Sequence, residues 1–340
     1  MNEPTKGFFR RVVITLCTGY ILAYYGELMF WATPERAGMN LSGILAVWIL
    51  YSLMAYPFLC VVSHFRVGDP WAVLLAGAFY GWFEEGLVVQ TAYGSSETPF
   101  PWSISFTALA WHAPIDVWLG WYLVRRVLAQ KTSLKTGLVA GGIGLFYGFW
   151  AIFWWNEPPP PMQALLEANR RDVLLGHFAL FTLATTACLA LAYWIHARVP
   201  LTAFKPSRTE LGLWGGTVVF YFGFVTVPAA PKALWLLPLL LGATLWALEC
   251  NRRAGPPTDA IVAFRGRNSG VNYWLLFLIP TIACGIYYAA LRMDVRLPTN
   301  YIVYYVTTPL GVILWLAAVF VCIRRGTRGS GNHKTPAVHR

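Results

Sequence analysis

The chain has 340 residues, of which 57% are apolar and 12% charged, with a formal net charge of +11. A soluble domain carries about 25% charged residues, so these proportions exclude a water-facing globular fold, and the apolar content excludes disorder. The six cysteines sit in or beside apolar runs, where a thiol behaves as a small hydrophobe, and no secreted disulfide scaffold is expected.

A bilayer core about 30 Å thick needs roughly 20 apolar residues per helix. Ten such runs follow in order: 12–32, 41–63, 71–92, 103–124, 136–156, 172–195, 211–229, 232–250, 272–291 and 300–323. They are continuous rather than alternating, which favours helices over barrel strands. The expected fold is all-α: a polytopic transmembrane bundle over 1–325, with a disordered cytoplasmic tail over 326–340. The first run follows Lys6, Arg10 and Arg11 and reads as a retained helix rather than a signal peptide. It carries Glu27, about five residues from its outer end.

The third run carries the adjacent pair Glu84 and Glu85, and the fourth carries His112 and, four residues on, Asp116. After the fifth run comes Trp154-Trp155-Asn156-Glu157 and four prolines, Pro158 to Pro161, which predict an extended polyproline stretch beside interfacial tryptophans. The sixth run carries His177 near its outer end. Pro228 and Pro231 divide the seventh run from the eighth, because one uninterrupted helix there would be roughly 60 Å long.

Basic residues orient the spans. Twenty of the 26 lysines and arginines fall on the two tails and the even-numbered connections, and six on the odd ones. By the positive-inside rule both termini lie in the cytoplasm. The positive charge is then a topological signal with some attraction to anionic headgroups, and no nucleic acid is expected as a partner. The expected location is the cytoplasmic (inner or plasma) membrane, crossed many times.

A loose repeat recurs in odd-numbered runs: Ala23-Tyr24-Tyr25-Gly26, Ala78-Phe79-Tyr80-Gly81, Leu145-Phe146-Tyr147-Gly148 and Phe220-Tyr221-Phe222-Gly223. It suggests an array of helical hairpins, or else a packing face rich in glycine and aromatics.

Ionisable side chains inside spans are expensive and mark function by default. Glu84 and Glu85 lie roughly 11–12 Å below the outer surface, and His112 roughly 14 Å, at 1.5 Å per residue. The connection between their spans is short, so the two helices are antiparallel neighbours and the groups meet at one depth. Adjacent glutamates point about 100° apart on an α-helix, so one faces a cavity and the other a neighbouring helix. Asp116 shares a face with His112 and can fix its tautomer. A glutamate beside a histidine can activate water, and the histidine can steady an oxyanion. A metal held by Glu84, His112 and His177 is conceivable, but no close ligand spacing such as H-E-x-x-H occurs. No cofactor or metal is expected.

This pattern resembles the CPBP intramembrane glutamic endopeptidases, the CAAX prenyl protease and bacteriocin-processing relatives. Glu84 and Glu85 match the family's glutamate pair, His112 its first histidine and His177 its second. Val89 stands where that family has arginine, Ala108 where it has phenylalanine, and Phe181 where it has asparagine. The resemblance implies a metal-independent hydrolase with Glu84, Glu85, His112 and His177 as catalytic residues, and a membrane-embedded peptide or lipid as substrate. Asp116 and Glu27 are supporting candidates. The alternatives are a proton-coupled transporter or lipid flippase, and a structural role in which the acidic groups only bond across helix interfaces, for instance with Tyr80, Gln90 or Thr91.

Overall fold

The computed structural model describes residues 3–32, 40–95, 98–201, 203–255, 259–264 and 270–331. Among them every regular element is helical and no strand occurs. Eight helices are long and apolar enough to cross a membrane. These are α1 (Thr5–Trp31), α2 (Leu41–His64), α5 (Ser133–Asn156), α6 (Arg171–Arg198), α7 (Arg208–Ala229), α8 (Ala233–Arg253), α9 (Gly270–Arg292) and α10, Thr299–Thr327 in its apolar part.

Two more helices match the third and fourth apolar runs. Helix α3 is Pro70–Trp82 continued by the π-helical turn Phe83–Val88. Helix α4 is the π-helical segment Ala108–Val124 continued by Arg125–Leu128. They are the two that carry Glu84, Glu85, His112 and Asp116.

The chain divides into two compact units. The first comprises Met1–Tyr56, Leu119–Leu201 and Phe264–Thr307; the second comprises Pro57–Trp118, Thr202–Ala263 and Thr308–Arg340. In the first unit, glycine allows α5 and α9 to touch backbone to backbone. A Cβ on Gly144 would stand 2.9 Å from the carbonyl oxygen of Ile279, and one on Gly148 would stand 2.9 Å from that of Ala283. Both numbers rise together, so the helices run parallel. In the second unit, α3 and α4 pack the same way but antiparallel. A Cβ on Gly77 would meet the Ala113 oxygen at 2.9 Å, and one on Gly81 would meet the Ala108 oxygen at 2.6 Å. Small residues four apart permit this approach in a membrane, where dispersion and interhelical hydrogen bonds replace the hydrophobic effect.

The start of α3 is pinned electrostatically. Asp69 caps it, accepting from the amides of Trp71 and Ala72. The same carboxylate takes Arg325 Nη1 at 2.8 Å and Asn251 Nδ2 at 3.3 Å, so the end of α8 and the end of α10 meet the start of α3.

The proline run is not a polyproline stretch. Pro159 is extended, but Pro160 opens a short helix, Pro160–Glu167. Proline suits the first helical position because the amide it lacks would have no partner there. Trp154 and Trp155 are buried, and Trp155 Nε1 donates to the Val295 carbonyl at 2.8 Å. Helix α10 continues beyond Gly326 to Gly331. The rest of the expected tail, 332–340, lies outside the described residues.

Candidate functional site

The site forms where α3 and α4 come closest. Gly77 and Gly81 lie on one face of α3, and Glu85 is the next position on that face. Opposite them, Ala108 and Ala113 bracket His112. The glycine contacts that bring the backbones together therefore also bring the carboxyl groups to the imidazole.

His112 is held at both ring nitrogens. Its Nδ1 lies 2.6 Å from Asp116 Oδ2, and its Nε2 lies 2.9 Å from Glu85 Oε1. Glu84 Oε2 lies 3.8 Å from Nδ1. Asp116 is 0% exposed, Glu84 3% and His112 4%. The edge of Tyr80 packs against the imidazole, with ring centroids 5.9 Å apart.

Both glutamates reach the same ring at a point where their helix is widened. The Val89 amide bonds the Glu84 carbonyl, five residues back rather than four, at 3.0 Å. A π-turn reduces the angle between successive side chains, and such turns favour functional sites. Helix α4 is widened in the same way. The His112 amide bonds the Thr107 carbonyl at 2.8 Å, and Pro114, which has no amide to donate, sits just beyond.

The carbonyls at the end of α3 are satisfied by side chains. Tyr93 Oη donates to the Gly86 oxygen at 2.7 Å, and Thr226 Oγ1 to the Leu87 oxygen at 2.7 Å. Gln90, with φ of 68°, turns the chain back on itself. Thr91, next in line, then donates its hydroxyl to Glu85 Oε2. Both oxygens of Glu85 are therefore engaged. Glu84 Oε2, buried beside them, has no hydrogen-bond partner among the described residues.

Four of the six expected residues thus converge: Glu84, Glu85, His112 and Asp116. The other two belong to the first unit. His177 is exposed on α6. Glu27 lies in a π-turn of its own, Tyr24–Leu28, where Trp31 Nε1 donates to its Oε2 and Tyr51 Oη to its Oε1, the latter at 3.2 Å. From the sequence, Thr91 is only a possible bonding partner, and Gly77 carries no expectation. The G-x-x-x-G spacing before the glutamate pair was the available signal for the latter. Among the described residues no group of three or more histidine, cysteine, aspartate or glutamate side chains is placed to hold a metal ion.

What the arrangement offers chemically is proton transfer. An imidazole between two carboxyl groups can take a proton at one nitrogen and release one at the other, and a second carboxylate stands within reach with an oxygen to spare. In comparisons with known proteins the chain matches no family model, no curated protein and no solved structure.

Proposed function

We propose that the chain is a ten-span protein of the cytoplasmic membrane, with both termini inside, and that it hydrolyses a membrane-embedded peptide or lipid in the manner of the glutamic endopeptidases it resembles. Two observations support the span count. Helices α5 and α9 run parallel, as two odd-numbered spans must. The start of α3 meets the ends of α8 and α10, which on this topology all lie on the cytoplasmic side.

The observation that carries the hydrolytic reading is the buried Glu84 Oε2, which makes no hydrogen bond among the described residues and lies 3.8 Å from Nδ1 of an imidazole held at both nitrogens. Glu84 is the water-activating base. It takes a proton from water as the water oxygen bonds to the substrate carbonyl carbon, and it returns that proton to the leaving group as the scissile bond breaks. His112, oriented by Asp116, steadies the negative charge that develops on the carbonyl oxygen.

The experiment uses proteoliposomes holding the full chain and a defined transmembrane peptide, in ¹⁸O-labelled water. Product carboxyl groups should carry the label with the wild type and lose it with Glu84→Gln. Equal cleavage by the two proteins contradicts the reading.

The continuous bonding from Glu85 through His112 to Asp116 favours a second reading, proton-coupled transport. In that case the same vesicles acidify or alkalinise internally on addition of substrate, without any cleavage.

A further inference from the structure

A chain of bonded side chains extends beyond the hydrolytic pair. Four groups are bonded in sequence: Thr91 to Glu85, Glu85 to His112 at 2.9 Å, and His112 to Asp116 at 2.6 Å. One end is at the protein surface, since Thr91 is only partly buried. The other end is Asp116, fully buried one helical turn along α4 from His112. The hydrolytic step assigned to Glu84 uses neither the Thr91 bond nor the far side of Asp116.

We propose that these four side chains form a proton path between the membrane surface and Asp116, and that Thr91 is the positioning residue that keeps it continuous. The inference deepens the proposed function and rests on its assignment of this cluster. Each transfer is balanced with surface water as the only co-reactant. Thr91 Oγ1 gives its proton to Glu85 Oε2 and takes one from water at the surface, and the Glu85 carboxyl passes a proton from Oε1 to Nε2 while the Nδ1 proton passes to Asp116. At Glu85 one O–H bond forms at Oε2 as another breaks at Oε1, one N–H bond forms at Nε2 as another breaks at Nδ1, and one O–H bond forms at Asp116. The reverse sequence returns the proton to the surface.

For this relay Glu85 must present Oε1 to Nε2. The donor that fixes its orientation is Thr91 Oγ1 on Oε2. Thr107 stands beside the same carboxyl, but its hydroxyl donates to the Phe106 carbonyl at 2.8 Å. Thr91 is itself held in place. Gln90 has the left-handed backbone that returns the chain, Ser103 Oγ donates to the Ala92 carbonyl at 3.0 Å, and Lys232 Nζ donates to the Tyr93 carbonyl at 3.4 Å. The hydroxyl therefore sits on a braced turn.

The test is nuclear magnetic resonance of ¹⁵N-histidine-labelled full-length protein in lipid bilayers, with the His112 signals identified by their absence from His112→Gln. The readouts are the hydrogen-bond signatures of Nδ1 and Nε2 and the rate at which the ring N–H exchanges with deuterium. Thr91→Val should slow that exchange about tenfold, the order expected for losing one bond to a carboxylate, and should alter the Nε2 signature while leaving Nδ1 unchanged. Thr91→Ser should restore both. Thr91→Ala provides a smaller side chain should valine disturb the turn. Wild-type exchange and wild-type Nε2 signals in Thr91→Val or Thr91→Ala overturn the proposal. No cleavage assay enters this test, so an inactive wild type counts against the hydrolase alone.

Discussion

Two segments of this chain share the sequence Gly-x-Phe-Tyr-Gly, and they serve different ends. Gly77–Gly81 on α3 and Gly144–Gly148 on α5 each bring a neighbouring backbone so close that a Cβ on the glycine would meet its carbonyl oxygen at 2.6–2.9 Å. The carbonyls met by the second segment, at Ile279 and Ala283, are four residues apart, the pitch of an α-helix; those met by the first, at Ala113 and Ala108, are five apart, the pitch of the π-helical α4. Three and four residues beyond the second glycine stand Glu84 and Glu85 in one case and Ala151 and Ile152 in the other. The packing motif therefore does not require carboxyl groups. Where they occur they face a histidine and an aspartate, which is the pattern of a site rather than of a fold.

The largest expected effect breaks the comparison at those positions. Glu84→Gln should lower turnover of the reconstituted protein by about 10²- to 10⁴-fold, the usual weight of a general base. Ile152→Val on the matching segment should leave turnover unchanged. Both are read by the labelled-water cleavage assay.

Next come the glycines themselves. Gly81→Leu and Gly148→Leu both force a side chain into a neighbouring backbone. Each should cost about 1–3 kcal/mol of stability, as overpacking does, measured by thermal unfolding in detergent. If only one of the pair is destabilised, the shared packing role is wrong.

A smaller difference lies at the start of each helix. Asp69 caps α3 with its side chain, whereas Thr132, before α5, makes no such cap. Asp69→Ala should cost about 1 kcal/mol, and Thr132→Ala close to nothing, in the same melting experiment. The smallest effect is expected at Glu27. Trp31 and Tyr51, which donate to it, are neutral side chains. Glu27→Gln keeps an acceptor for one of them, and such interhelical bonds average under about 1 kcal/mol. Turnover should not change.

Much of this was legible in the sequence, for physical reasons. The membrane demands long apolar stretches, and eight of the ten runs are long, apolar helices. The convergence of Glu84, Glu85, His112 and Asp116 was legible because ionisable groups are rare in such runs and a short connection holds their helices together. The π-turns were not legible. Shifting a backbone bond by one residue leaves no mark on residue type, yet it narrows the angle between the two glutamates. The two-unit division was hidden for a related reason: three of its five boundaries fall inside helices, at Pro57 in α2, after Trp118 in α4 and before Thr308 in α10, and only those after Leu201 and Ala263 fall in connections. The proline run after α5 misled because proline is equally at home in an extended strand and in the first turn of a helix.

The account depends on the glutamate pair and the imidazole sharing one buried site. A double-mutant cycle of Glu85→Gln and His112→Gln, read as unfolding free energy in detergent, tests this most directly. Side chains in direct contact should show a coupling of about 0.5–3 kcal/mol. Two effects that simply add would mean that the groups do not touch, and the site as described would not exist.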